Sequence, residues 1–295
     1  MDRDALVGLS ISYQMHGLVA LDAAGSVTDL LGGQEDLKRG KICCVGEPER
    51  RFYEDALRML RALRFSAQLG FQIEDDTARA IRDNAELCRL LSRERVCAEA
   101  EKTLLSPRPE TLSVMLREGL LAACGIEGDY ELHALKTVSA EADARWAMLK
   151  VLIPKLDMQQ FRLPSRRVQL AETAAAAYWP SYTREALKEL IAASGEDAAR
   201  VCAKLSAQEA LLEEILQSGE CVSLRGLAVN GRDFPALHGK AAGDMLRRLL
   251  DYVLLHPEKN NRQTLLRLAE EWSGNSDADG HKDVGDVERQ QKDTL

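Results

Sequence analysis

Beyond Gly46, apolar side chains recur at three- and four-residue intervals through Leu57 to Ala67, Asp76 to Leu91, Arg93 to Leu105 and Pro109 to Ala123. That interval marks one face of an α-helix, whereas a half-buried strand alternates every two residues. The pattern therefore predicts a mainly α fold. Helices are expected to resume over 140–156, 164–177, 182–194, 196–203 and 207–216, with a further helical unit ending near Trp272. Only residues 6–31 alternate like two short strands, around Ala23-Ala24-Gly25-Ser26, which predicts a β-hairpin. Ser92 and Ser106 are expected to act as helix N-caps, because a serine hydroxyl can accept from the free N–H groups of a first turn.

Turn-forming residues punctuate the pattern at Gly125-Ile126-Glu127-Gly128-Asp129 and at Ser218-Gly219-Glu220. Beyond Gly46 they divide the chain into segments 47–125, 126–217 and 218–272. Residues 273–295 are rich in Gly, Asp, Ser and Gln and poor in apolar side chains, so disorder is expected there.

With 45% hydrophobic residues the chain can fill a core. No run approaches the roughly 18 apolar residues of a membrane span, and no basic, apolar and small-residue series opens the chain. These features predict a cytoplasmic protein with no membrane partner. The seven cysteines include no Cys-x-x-Cys and are odd in number, so free and mostly buried thiols are expected. The five histidines are isolated from one another, which argues against a structural metal.

Asp55 and Arg58 carry the most specific chemistry. Placed three apart on one helix they would be surface neighbours. A carboxylate only accepts hydrogen bonds and a guanidinium only donates them, so the pair presents an acceptor beside a donor. Cytosine and adenine offer the complement, an exocyclic amine beside a ring-nitrogen acceptor. Uracil and guanine place a carbonyl beside a ring N–H, which would face each protein group with a like partner and leave it unpaired. Arg58, Arg61 and Arg64 then sweep across the helix surface, an arrangement suited to a polyphosphate or an RNA backbone. Glu54 with Arg58 and Asp55 with Arg58 also have the spacing of an ordinary solvated helix face. The net charge of −8 does not oppose a polyanion, because docking depends on local charge. Basic residues cluster at Arg50 to Arg64, at Arg162 with Arg166-Arg167, and at Arg247-Arg248.

Longer strings resemble one family, the bacterial-type class II tRNA nucleotidyltransferases, or CCA-adding enzymes, with the related bacterial poly(A) polymerases. Glu54-Asp55-x-x-Arg58-x-x-Arg61-x-x-Arg64-Phe65 is similar to the family's nucleotide-selecting motif, followed by Leu69-Gly70-Phe71 and Ile73-Glu74-x-x-Thr77. Ser92-x-Glu94-Arg95-Val96-x-x-Glu99 resembles the next neck motif. Asp29-Leu30-Leu31-Gly32-Gly33-x-x-Asp36-Leu37 resembles the end of the catalytic head, and Val45-Gly46-x-Pro48 the linker after it. Leu227-Ala228-Val229-Asn230-Gly231-Arg232-Asp233 resembles a tail motif.

The resemblance implies a head remnant over 1–46, a neck over 47–125, a helical body over 126–217 and a helical tail over 218–272, elongated in the family's manner. It implies CTP, ATP and a tRNA 3′ end as partners, not DNA, and Mg2+ for the intact family enzyme. In that enzyme the terminal hydroxyl attacks the nucleotide in line. Asp55 and Arg58 would select the base, Arg61 and Arg64 would support the site or the phosphates, and Glu94 with Arg95 would brace the neck helices beside Glu54. The family's Gly-rich stretch and paired strand carboxylates have no counterpart here, so no catalytic or metal-ligating residue is assigned. Asp2-Arg3-Asp4 and Asp277-Ala278-Asp279 fit no metal-bearing strand. The expectation is a chain lacking most of its catalytic head and inactive alone. A poly(A) polymerase would share every motif, and a non-catalytic RNA-binding remnant or a broken gene product stand as further alternatives.

Overall fold

The computed structural model describes residues 19–21, 27–29 and 31–275. Asp2, Asp4, Asp277, Asp279 and the segment expected to be disordered past residue 275 lie outside them, as does most of the alternating stretch 6–31. The described residues hold thirteen α-helices and two small sheets, the mainly α fold that the periodicity predicts. They form two compact units. One comprises the described residues up to Tyr182 together with Glu196–Glu209, and the other comprises Thr183–Gly195 and the described residues from Ala210 onward.

In the first unit, β1 (Val19–Leu21) pairs antiparallel with β2 (Val27–Asp29), with Ala20 opposite Thr28. Asp29 closes the strand and begins the next helix. Its carboxylate accepts from the N–H groups of Leu31 (3.1 Å), Gly33 (3.1 Å) and Gln34 (2.6 Å), so it satisfies the free donors of α1 (Gly33–Arg39). A parallel pair absent from the sequence reading follows, β3 (Lys41–Ile42) with β4 (Gln72–Ile73). Strands of two residues leave no alternation to read.

α2 (Pro48–Glu54) and α3 (Leu57–Leu69) are separate helices, and α3 ends at Gly70 with φ 76°. That positive φ favours glycine, and a Cβ there would also stand 3.0 Å from the Arg108 guanidinium, which would have to move aside. α4 (Asp75–Asn84) is capped by Glu74, whose carboxylate accepts from Asp76 N, Thr77 N and Thr77 Oγ1. Thr77 Oγ1 in turn accepts from Cys44 N at 3.0 Å, tying residue 44 to α4. The helix expected to run to Leu91 tightens to 3₁₀ geometry over Ala85–Leu90.

α5 (Arg93–Leu104) packs on α3. Ser92 stands at its N-cap, but its side chain makes no capping bond. Ser106 caps no helix; its hydroxyl accepts from Arg108 N instead. α6 covers only Thr111–Arg117, because the chain turns at Gly119 with φ 74° and Leu120 N reaches back to Met115 O. α7 (Ala142–Leu152), α8 (Ser165–Ala177) and α10 (Glu196–Leu205) pack together. Trp146 is fully buried, with its ring 5.1 Å from that of Phe161. The buried Arg145 donates to Leu104 O, Ser106 O and Val138 O, and so neutralises carbonyls at the end of α5.

In the second unit, α9 (Arg184–Ser194), capped by Thr183, packs on α12 (Lys240–Leu255), which also meets α13 (Arg262–Asn275). Its core is Leu249, Leu250, Val253, Leu254, Leu265 and Ala269, joined by Val229 and Phe234. α11 (Glu209–Gln217) begins at the edge of the first unit; Ala207, at φ 55°, separates it from α10. Asn230 and Asp233 cap one another's backbone around a 3₁₀ turn, and Arg262 donates to Asp233 at 2.6 Å. The 227–233 string thus builds a cap. Trp272 packs against this core beneath Arg248, whereas Trp179 is 67% exposed.

Candidate nucleotide-binding site

The helix expected to carry both Asp55 and Arg58 is broken between them. Asp55 is extended, with φ −154° and ψ 102°, and ends α2. The break is held by what it allows: Asp55 Oδ1 accepts from Leu57 N at 3.2 Å, and Arg95 Nη2, from α5, donates to both carboxylate oxygens at 3.1 and 2.9 Å. Continuous helix would have swung the carboxylate off Arg95. Arg58, in the first turn of α3, donates through Nη1 to Arg51 O at 3.0 Å and Glu54 Oε2 at 3.1 Å. Arg51 reaches the same Glu54 oxygen at 2.6 Å. The hydrogen bond from Arg58 is the main influence holding the Glu54 carboxyl below the usual carboxylate range.

Deeper along α3 the arginines diverge. Arg64 is buried, donating to Glu99 Oε2 at 2.5 Å and Gln68 Oε1 at 2.6 Å, with its guanidinium 3.8 Å from the Phe65 ring centroid. Lys102 reaches the other Glu99 oxygen at 3.3 Å. Arg61 lies between these two systems with its buried Nε unpaired, and burial lowers its guanidinium from the ordinary value. Glu94 is exposed and faces Arg162 at 3.6 Å. The structure therefore gathers Glu54, Asp55, Arg58 and Arg95 at the α2–α3 junction, places Arg61 half-buried beyond them, seals Arg64 against Glu99 and leaves Glu94 apart.

Counting lone pairs shows what this arrangement can do. A carboxylate offers about four acceptor sites and a guanidinium five donors. Leu57 N and Arg95 occupy Oδ1 of Asp55 and Arg95 occupies Oδ2 once, so one acceptor site remains on Oδ2. Arg58 uses only Nη1, which leaves its Nε and Nη2 hydrogens free to donate. A spare acceptor on Asp55 and spare donors on Arg58 thus remain at the α2–α3 junction, each side chain held by protein partners. No site role was expected of Arg51, although the basic cluster Arg50 to Arg64 contains it. None was expected of Glu99, whose partner lies 35 residues away and leaves no local signal.

Three comparisons bear on this geometry. Residues 70–124 match the family described as "Probable RNA and SrmB- binding site of polymerase A". The CCA-adding enzyme of Geobacillus kaustophilus is 34% identical over 80% of this chain and 63% of its own length. That of Limosilactobacillus fermentum is 34% identical over 86% of this chain and 68% of its own. This chain belongs to the CCA-adding enzyme family. The crystal structure of the Bacillus stearothermophilus CCA-adding enzyme in complex with CTP superposes with a TM-score of 0.76 at 28% identity, covering 88% of this chain and 72% of that one.

The chain therefore spans about two thirds of the length of these CCA-adding enzymes. Family membership raises the question of Mg2+. Among the described residues no group of three or more His, Cys, Asp or Glu side chains could hold a metal ion, so these residues do not fit one. Among them, too, no helix is long and apolar enough to cross a membrane.

Proposed function

We propose that this chain supplies base selection and RNA binding for CCA addition to a tRNA 3′ end, from CTP and ATP, in the cytoplasm. The observation that carries the reading is the spare acceptor on Asp55 Oδ2 and the spare donors of Arg58 at one helix junction. The exocyclic amine of cytosine or adenine donates to Asp55, and the adjacent ring nitrogen accepts from Arg58. Arg95 and Glu54 fix the two groups in orientation, and Arg61 is the guanidinium with donors to offer a phosphate. Arg64, sealed against Glu99, supports α3 from beneath. Body and tail grip folded RNA by shape and phosphates. The phosphoryl transfer itself requires a head with metal-binding carboxylates, and Mg2+ belongs to that part.

The test is nucleotide incorporation on tRNA lacking its terminal CCA, with magnesium, CTP and ATP, first with the chain alone and then with a family head joined to it. The expected result is no incorporation alone and ordered C and A addition with the head. Incorporation by the chain alone would overturn the division of labour. A poly(A) polymerase reading draws on the match over residues 70–124; untemplated A addition to generic RNA, with no preference for tRNA, would establish it instead.

A further inference from the structure

Cys97 and Cys124 are far apart in sequence and adjacent in space. Their sulfurs lie 3.6 Å apart, and the side chains are 7% and 2% exposed respectively. The other buried thiols face carbonyl groups, Cys88 toward Ala56 O, Cys202 toward Ala174 O and Cys221 toward Ser223 O. Each of those is an inert packing group. Cys97 too faces a carbonyl, Gln160 O at 3.8 Å, but the Cys97–Cys124 contact differs because each sulfur is also the other's neighbour.

The two partners are also unequal. The S–H of Cys124 is the main influence lowering the Cys97 thiol, and the neighbouring Cys97 pushes Cys124 upward. Arg162 adds a favourable charge near Cys97, and Glu94 opposes it. The surroundings can yield. Cys124 ends a single 3₁₀ turn and is followed by Gly125 at φ 71°, so the turn can shift without unwinding a long helix. A disulfide needs sulfurs about 2.05 Å apart, a closure of roughly 1.5 Å from the observed contact.

We infer that Cys97 and Cys124 form a reversible redox pair, oxidised by hydrogen peroxide to a disulfide that links α5 to the turn Ala122–Cys124. The Cys97 thiolate attacks one peroxide oxygen, the O–O bond breaks, and hydroxide leaves with the electron pair and is protonated to water. The resulting sulfenic sulfur is attacked by Cys124, its S–O bond breaks, and a second water departs with the Cys124 proton. Two thiols and one peroxide become one disulfide and two waters, and a dithiol reductant reverses the change.

The position gives this pair leverage. Residues two apart on a helix project about 200° apart, so Cys97 faces away from Arg95 and Glu99. Those are the residues through which α5 holds Asp55 and Arg64. Drawing Cys97 toward Cys124 therefore pulls α5 from the side opposite its contacts with α3.

The test exposes the folded 295-residue chain to hydrogen peroxide, denatures it, counts free thiols and maps linked peptides. The expected result is a fall from seven thiols to five, a single Cys97–Cys124 link, and full recovery with dithiothreitol. Cys97→Ala and Cys124→Ala should each abolish the link. Seven thiols retained, a link between any other pair, or Cys97 driven to sulfinic acid would overturn the inference. Peptide mapping of the unaltered chain decides the matter even where a variant fails to fold.

Discussion

The two units use buried and half-buried charge in opposite ways. In the second, Glu220 receives Lys188 at 2.7 Å and Arg184 at 2.7 Å, and Arg184 also reaches Glu214. That network is closed. In the first, residues 51–64 carry more donors than their acceptors can use, and Arg51 Nε and Arg61 Nε are buried without partners. Burying an unpaired donor costs stability, and a chain that folds around such groups gains nothing from them structurally. The difference teaches where to look for function: a satisfied network holds the fold, and the spare acceptor of Asp55 and spare donors of Arg58 leave hydrogen bonds for a ligand.

The largest expected effect tests the most deeply buried closed pair described in the first unit, Arg64 with Glu99. Glu99→Ala strands the buried Arg64 and should destabilise that unit by about 3–5 kcal/mol, measured by urea denaturation. Replacing both partners, Arg64→Met with Glu99→Leu, should recover most of that loss, as a double-mutant cycle would show. If Glu99→Ala is silent, the pair does not support α3.

Next in size is recognition. With a head joined, Asp55→Ala should reduce the preference for CTP over UTP by about 10–100-fold and cost roughly 1 kcal/mol of stability, because the base, Leu57 N and Arg95 all lose their acceptor. Unchanged discrimination in competitive incorporation would end the base-reading role.

The closed network should respond to acid. Lys188, then Arg184, hold the Glu220 carboxyl at about 2, below its ordinary value of 4.5. Its folded value is depressed, so its contribution is complete above about pH 4.5 and is lost as pH falls toward 2. Glu220→Gln should flatten that part of the stability–pH curve. A profile identical to the parent's would show that the network contributes nothing.

The smallest effect sharpens the contrast most. Arg61→Met removes a guanidinium whose Nε has no partner, so stability should stay within about 0.5 kcal/mol or rise, while nucleotide binding weakens. A large loss of stability would make Arg61 a structural residue and erase the distinction between the units.

Much of this was legible along the chain. The three- and four-residue apolar spacing marked α3, α5, α7, α8, α9 and α10 to within a few residues, because each buries one face. The site strings were legible as charged residues at fixed offsets. Their partners were not. Asp55 looked helical because Glu54 to Arg64 carries an unbroken helical pattern, yet Arg95, forty residues on, draws its carboxylate out of that pattern. Ser92 looked like a cap by residue type and position alone. Asp29, Glu74 and Asn230 do form caps, and each lies inside a string whose resemblance pointed toward function.

By itself, then, the sequence determined which segments are helical and which residue types stand at the α2–α3 junction, since helix periodicity and side-chain chemistry are local properties. Tertiary structure alone decided which charges are spent. Whether an arginine is sealed like Arg64, shared like Arg58 or unpaired like Arg61 depends on acceptors brought from other helices, and hydrogen-bond satisfaction is settled only when those helices pack.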